Sequence, residues 1–185
     1  MNALFWLLVA VVVLVSAMFW ANWTASRLDR LHHLVETARA ALDAQLVRRS
    51  AVAIEVASSG LLDPASSVLL ADAAHQARAA PEDDRELAES ALSAALRAVL
   101  GDPELRAGVA ADGPAGRELL DELDTASRRV LMARTFHNDA VTAALRVRRK
   151  RPVRWLRLAG NAATPEFFEI DDAPPPTDPA PTSLS

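Results

Sequence analysis

The sequence contains no cysteine and no tyrosine, and only 6 glycines among its 185 residues. Without cysteine there is no disulfide framework and no cysteine-ligated zinc. That absence fits a reducing compartment. There is no glycine-rich phosphate loop, no Gly-Lys-Ser/Thr and no Gly-x-Ser-x-Gly nucleophile turn. Metal sites in helical bundles draw on Glu-x-x-His motifs from facing helices. The nearest approach is Asp72 with His75, on one helix only, while His33 with Glu36 runs in the reverse order. The sequence therefore predicts no catalytic residue, no metal and no cofactor, and no enzyme. What fills the composition instead is alanine, leucine, arginine and glutamate, all good helix formers, so an all-α fold is expected.

Charge is missing from one place in particular: the first 26 residues carry no charged side chain. Ala3 to Trp23, "ALFWLLVAVVVLVSAMFWANW", is a 21-residue apolar run. About 20 such residues in a helix cross the hydrocarbon core of a bilayer. Trp6 stands near one end and Trp20 and Trp23 near the other, where interfacial aromatics belong. A cleaved signal peptide has a basic start and an apolar stretch of only about 7–15 residues. This run is longer and has no basic start, so residues 1–26 read as a single-pass anchor. Arg27, Arg30 and Arg39 follow it and no lysine or arginine precedes it. By the positive-inside rule the N-terminus lies outside and the remainder in the cytoplasm, at the cell membrane.

Beyond the anchor, Leu28, Leu31, Val35, Ala38, Leu42, Gln45, Arg49, Val52 and Val56 recur at spacings of three and four. That is a heptad-like seam, which Leu46 and Ala53 widen. The helix should run straight out of the membrane to about Ser58, with Gly60 as its stop. From Arg27 onward it would be roughly 50 Å long. Asp63 and Pro64 form a cap and first-turn pair for a second helix, to about Ala80. Pro81 breaks it, and the acids that follow suit the first turn of a third helix, ending near Leu100. A loop, "GDPELRAGVAADGPAG", comes next, with room for a short helical turn. A long last helix is expected from about Arg117 to Arg151. Its seam is Leu119, Leu123, Ala126, Val130, Ala133, His137, Ala140, Ala144 and Val147, and Pro152 stops it. Residues 27–172 thus read as an antiparallel up-and-down four-helix bundle with long first and last helices. The proline-rich end, 173–185, reads as disordered.

Two polar features interrupt this pattern. Gln45 and Arg49 sit on the seam of the first long helix, and His137, beside Asn138 and Asp139, on that of the last. Buried polar groups need partners. In an antiparallel pair these groups fall in the same half, so a polar network that sets helix register is expected, with Arg49 or Arg39 paired to Asp139. The second feature is basic. Arg146 to Gly160 holds seven positive charges and no acid, in a chain of net charge −4. An even count of passes returns this block to the membrane. Arg146, Arg148, Arg149, Lys150, Arg151, Arg154 and Arg157, with Trp155 on the opposite face of a short amphipathic turn, would meet anionic headgroups.

Three stretches carry a family resemblance. "LVETARAALDAQLVRRSA", with its Gln45-Leu46-x-Arg48-Arg49 core, resembles the first-helix signature of the LemA family. "ARTFHNDAV" is similar to its last-helix motif through Arg134, Asn138 and Val141, and "PEFFE", residues 165–169, to its terminal Phe-Glu signature. The stretch "VAIEVASS" after the arginine pair departs from that family's pattern, with neither its proline nor its asparagine. The resemblance implies a membrane-tethered antiparallel helical bundle on the cytoplasmic side, with no enzymatic activity attached. The functional expectation is a membrane-anchored scaffold whose basic surface contacts anionic lipid. The alternative is non-specific binding of nucleic acid or of a protein partner through residues 146–157.

Overall fold

A computed structural model describes residues 2–149 and 164–171. Among these the regular structure is helical, with no strand. Helix α1 is a single element, Asn2–Ser58, so the apolar run and the seam behind it share one backbone ladder. Gly60 follows at φ +78°, the left-handed geometry that lets a chain leave a helix sharply without a β-carbon clash. Helix α2 is Pro64–Ala79, and the Asp63 carboxylate accepts from the amides of Ala65 and Ser66 at 3.0 and 3.1 Å. Hydrogen bonding from Ser66, hydroxyl first and backbone second, holds the Asp63 carboxyl below its ordinary range. A 3-10 turn, Glu82–Asp84, leads into helix α3, Arg85–Leu100.

Two boundaries differ from expectation. The segment read as a loop contains helix α4, Pro103–Ala111, capped by Asp102, whose carboxylate accepts from the Glu104 amide at 2.9 Å. It repeats the Asp-Pro start that marks α2, and its nine residues are too few for an apolar period to stand out. Helix α5, Pro114–Arg148, begins three residues earlier than Arg117, because Gly113 turns at φ +123° and Pro114 suits the first helical position. At its early seam Leu119 is half-buried against the core, and Leu120 beside it is fully buried. The expected end at Arg151 and the tail 173–185 lie outside the described residues.

The chain divides into two compact units: Met1–Ala40 with Phe136–Phe167, and Ala41–Thr135 with Phe168–Ser185. In the second unit, Val52, Ala53, Val56 and Ala57 of α1 join Leu70 and Ala74 of α2, Leu92 and Val99 of α3, Val109 of α4 and Leu120 and Leu123 of α5 in one apolar core. A second cluster holds Leu42, Leu46, Val130, Phe168 and Ile170, with Ala133 against it. Ion pairs tie the rim: Arg48 with Glu122, and Arg106 with Asp124. In the first unit, His137, Ala140, Val141, Ala144 and Val147 of α5 are buried, following the expected period.

Candidate functional site

The apolar start of α1 has no buried face. Leu4 is 78% exposed and Phe19 75%, and Val11 to Val15 are exposed in succession. In water such a surface is far larger than a soluble protein tolerates. Just beyond the run, two hydroxyls bond back into the helix: Thr24 donates to the Trp20 carbonyl at 2.8 Å and Ser26 to that of Asn22 at 3.0 Å. Among the described residues this is one helix long and apolar enough to cross a membrane.

The polar interruption on α1 is resolved differently from the sequence expectation. Arg49 is paired with Glu89 of α3, not with Asp139. Its Nη2 donates to Glu89 Oε2 at 2.6 Å and to the Glu89 carbonyl at 3.2 Å, and its Nη1 to Ser93 Oγ at 3.1 Å. Both side chains are sealed from solvent, Arg49 at 3% and Glu89 at 1% exposure. Burial pushes the Glu89 carboxyl up; the nearby Arg49 and Arg85 charges pull it back only in part, and Asp43 adds to the rise. Asp139 is exposed, and Gln45 and Asn138 are half-buried. A signal for Glu89 was present in the sequence. It lies three and four residues before Leu92 and Ser93, on the buried stripe of its own helix.

His137 is buried as its place in the seam requires, and its Nε2–H donates to the Glu166 carbonyl at 3.2 Å. It belongs to the first compact unit, whereas Arg49 belongs to the second. For Arg49 the expected acid, Asp139, is replaced by Glu89 of α3.

Sequence reasoning also missed the part played by residues 164–171. They show the period-two burial of an extended chain: Phe168 and Ile170 are buried, Glu169 and Asp171 exposed. In the second unit Phe168 fills the space beside Leu42, Leu46 and Val130. The Glu169 amide donates to the Glu86 carboxylate at 2.9 Å and the Asp171 amide to Ser90 Oγ at 3.1 Å. Arg97 pairs with the Asp171 carboxylate at 2.7 Å. "PEFFE" offered no helical or alternating run long enough to announce this.

Of the basic block, Arg146 and Arg149 are exposed and Arg148 half-buried at the end of α5, where positive charge complements the helix dipole. Lys150, Arg151, Arg154, Trp155 and Arg157 lie outside the described residues. Asp72 and His75 are both exposed, and Asp72 accepts from Gln76 at 2.7 Å. No group of three metal-ligating side chains occurs among the described residues. The chain matches no protein-family model, no curated protein and no solved structure.

Proposed function

We propose that this protein is a single-pass, membrane-anchored helical scaffold of the LemA-like type, with its N-terminus outside and its helical part in the cytoplasm. The observation that carries the reading is the continuity of α1: an all-round apolar length and a one-sided seam in the same unbroken helix. Such a helix couples whatever the folded part binds to the bilayer surface. The antiparallel course of α1 and α5 is supported by the order of their contacts. Leu42 and Leu46 share a cluster with Val130, Arg48 meets Glu122, and Val52 to Ala57 share one with Leu120 and Leu123. The LemA-like reading is supported by where its three stretches lie. Each supplies buried side chains: Leu46 and Arg49, His137 and Val141, and Phe168.

The basic surface that begins with Arg146, Arg148 and Arg149 contacts anionic headgroups in this reading, each charge contributing about 1 kcal/mol near the leaflet. Two experiments test it. A reporter active only outside the membrane, fused after Ser185, should stay silent, and activity there would reverse the orientation. Residues 27–172 should co-sediment with anionic but not zwitterionic vesicles and be released by high salt. Replacing Arg148, Arg149, Arg151 and Arg154 by glutamine should abolish this. Failure of the unaltered fragment to bind anionic vesicles at low salt would transfer the basic block to a protein or nucleic-acid partner.

A further inference from the structure

Helix α3 presents two neighbouring stripes to two different elements. Glu89 and Ser93 hold α1: Arg49 donates to Glu89 Oε2 at 2.6 Å and to Ser93 Oγ at 3.1 Å. Glu86 and Ser90, each three residues earlier, accept the amides of Glu169 and Asp171 at 2.9 and 3.1 Å. Residues three and four apart are neighbours on a helix surface, so the extended segment 168–171 lies directly beside the buried ion pair. Helix α1 repeats the arrangement. Leu42 and Leu46 pack with Phe168, and Arg49 stands three residues beyond Leu46.

These two neighbours have opposite relations to water. Phe168 and Ile170 gain by burial, at 1% and 7% exposure. The ion pair loses by it. A sealed pair recovers its lost hydration only when its remaining polar atoms are also satisfied. Among the described residues Arg49 Nε has no hydrogen-bond partner. Burial also holds the Glu89 carboxyl above its ordinary range. Water admitted at this seam would relieve both. The outer anchor of the segment is a surface contact, from Arg97 to an Asp171 side chain that is 60% exposed, and such pairs contribute little.

We propose that residues 168–171 are a releasable strap on their own chain. Docked, the strap keeps water from the Arg49–Glu89 pair. Released, it opens the space beside Leu42, Leu46 and Val130 while the helices stay folded. Apolar burial favours the closed state and hydration of the pair favours the open one, so the two sites act on a single equilibrium. The inference goes beyond the scaffold reading and rests neither on lipid contact nor on orientation in the membrane.

The chain has no cysteine. Val130→Cys in the full-length protein, held in a mild detergent, therefore supplies a single thiol in the cluster that Phe168 fills. Its maleimide labelling should run at least tenfold faster than global unfolding allows, the latter found by extrapolating labelling in denaturant to zero denaturant. Asp171→Ala with Ser90→Ala removes outer contacts of the strap and should raise the rate at least threefold, with helical circular dichroism unchanged. Arg49→Met with Glu89→Leu leaves no charge to hydrate and should lower it at least threefold. Labelling only through global unfolding, or a rate indifferent to loss of the outer contacts, overturns the strap. A rate unmoved or raised by the apolar pair overturns its link to Arg49 and Glu89. Should Val130→Cys lose its helical circular dichroism, Ile170→Cys places the thiol on the strap itself and is read in the same way.

Discussion

Residues 3–23 and residues 42–57 belong to the same helix and have opposite surroundings. The first stretch is exposed on every face, while in the second Leu42, Leu46, Val52, Ala53, Val56 and Ala57 are buried and Ala44, Val47, Arg48 and Glu55 are exposed. Helix propensity does not separate them. The difference is the angular distribution of apolar side chains: uniform in one, confined to a stripe in the other. A uniform apolar surface calls for a surrounding apolar solvent, and a stripe calls for a protein partner on one side. The two halves should therefore fail in different ways when charge is added or removed.

The largest effect is expected from breaking the uniform half. Val12→Arg with Val15→Arg places two charges at mid-span, each costing about 2.5–3.5 kcal/mol on insertion. Alkaline carbonate should then extract the variant from membranes while the unaltered chain stays with the pellet. Next comes the striped half at its one fully buried charge. Arg49→Ala leaves Glu89 buried without its cation and should cost about 3–5 kcal/mol. Replacing the pair together, Arg49→Met with Glu89→Leu, should restore most of that stability. Thermal melting in detergent, followed by circular dichroism, measures both, and equal losses in single and double variants would show that packing rather than charge matters at this position.

A smaller effect sharpens the same comparison through pH. The folded state raises the Glu89 carboxyl above its ordinary value of 4.5. Folded chain therefore binds a proton in a window where unfolded chain does not, so this residue's contribution is fully present below the ordinary value and is lost as pH rises through the folded one. Asp63 acts in the opposite sense: its carboxyl is lowered from 3.8, so its contribution is present above that value and lost at lower pH. Glu89→Gln should flatten the dependence of melting temperature on pH above 4.5, and an unchanged slope would place the titration elsewhere. The smallest effect belongs to Asp139→Ala. The exposed carboxylate there should be worth less than about 1 kcal/mol, and a loss comparable to that of Arg49→Ala would restore the register role expected from its neighbours.

Where the sequence read correctly, the cause is local. Apolar length gave the candidate span, and the recurrence of three and four gave the buried faces of α1 and α5. Asp63-Pro64 and Gly60 gave two helix boundaries, since caps and left-handed turns depend on a few adjacent residues. Helix α4 was hidden by its brevity even though Asp102-Pro103 announced it in the same terms. The site was less legible than the fold. That Arg49 and His137 are buried follows from their seam positions, but their partners do not.

By itself the sequence determined the helical class, the all-apolar length and the stripe that turns part of α1 toward a core, because these depend on side chains one or two turns apart. The tertiary structure alone decided that Arg49 meets Glu89 from forty residues away, and that Phe168 rather than a helical side chain completes the space beside Leu42 and Leu46. A buried charge takes the opposite charge that chain packing brings within hydrogen-bond reach, and a cavity takes the side chain whose segment arrives there. Both outcomes are set by which distant elements come to lie side by side, a property that no local spacing encodes.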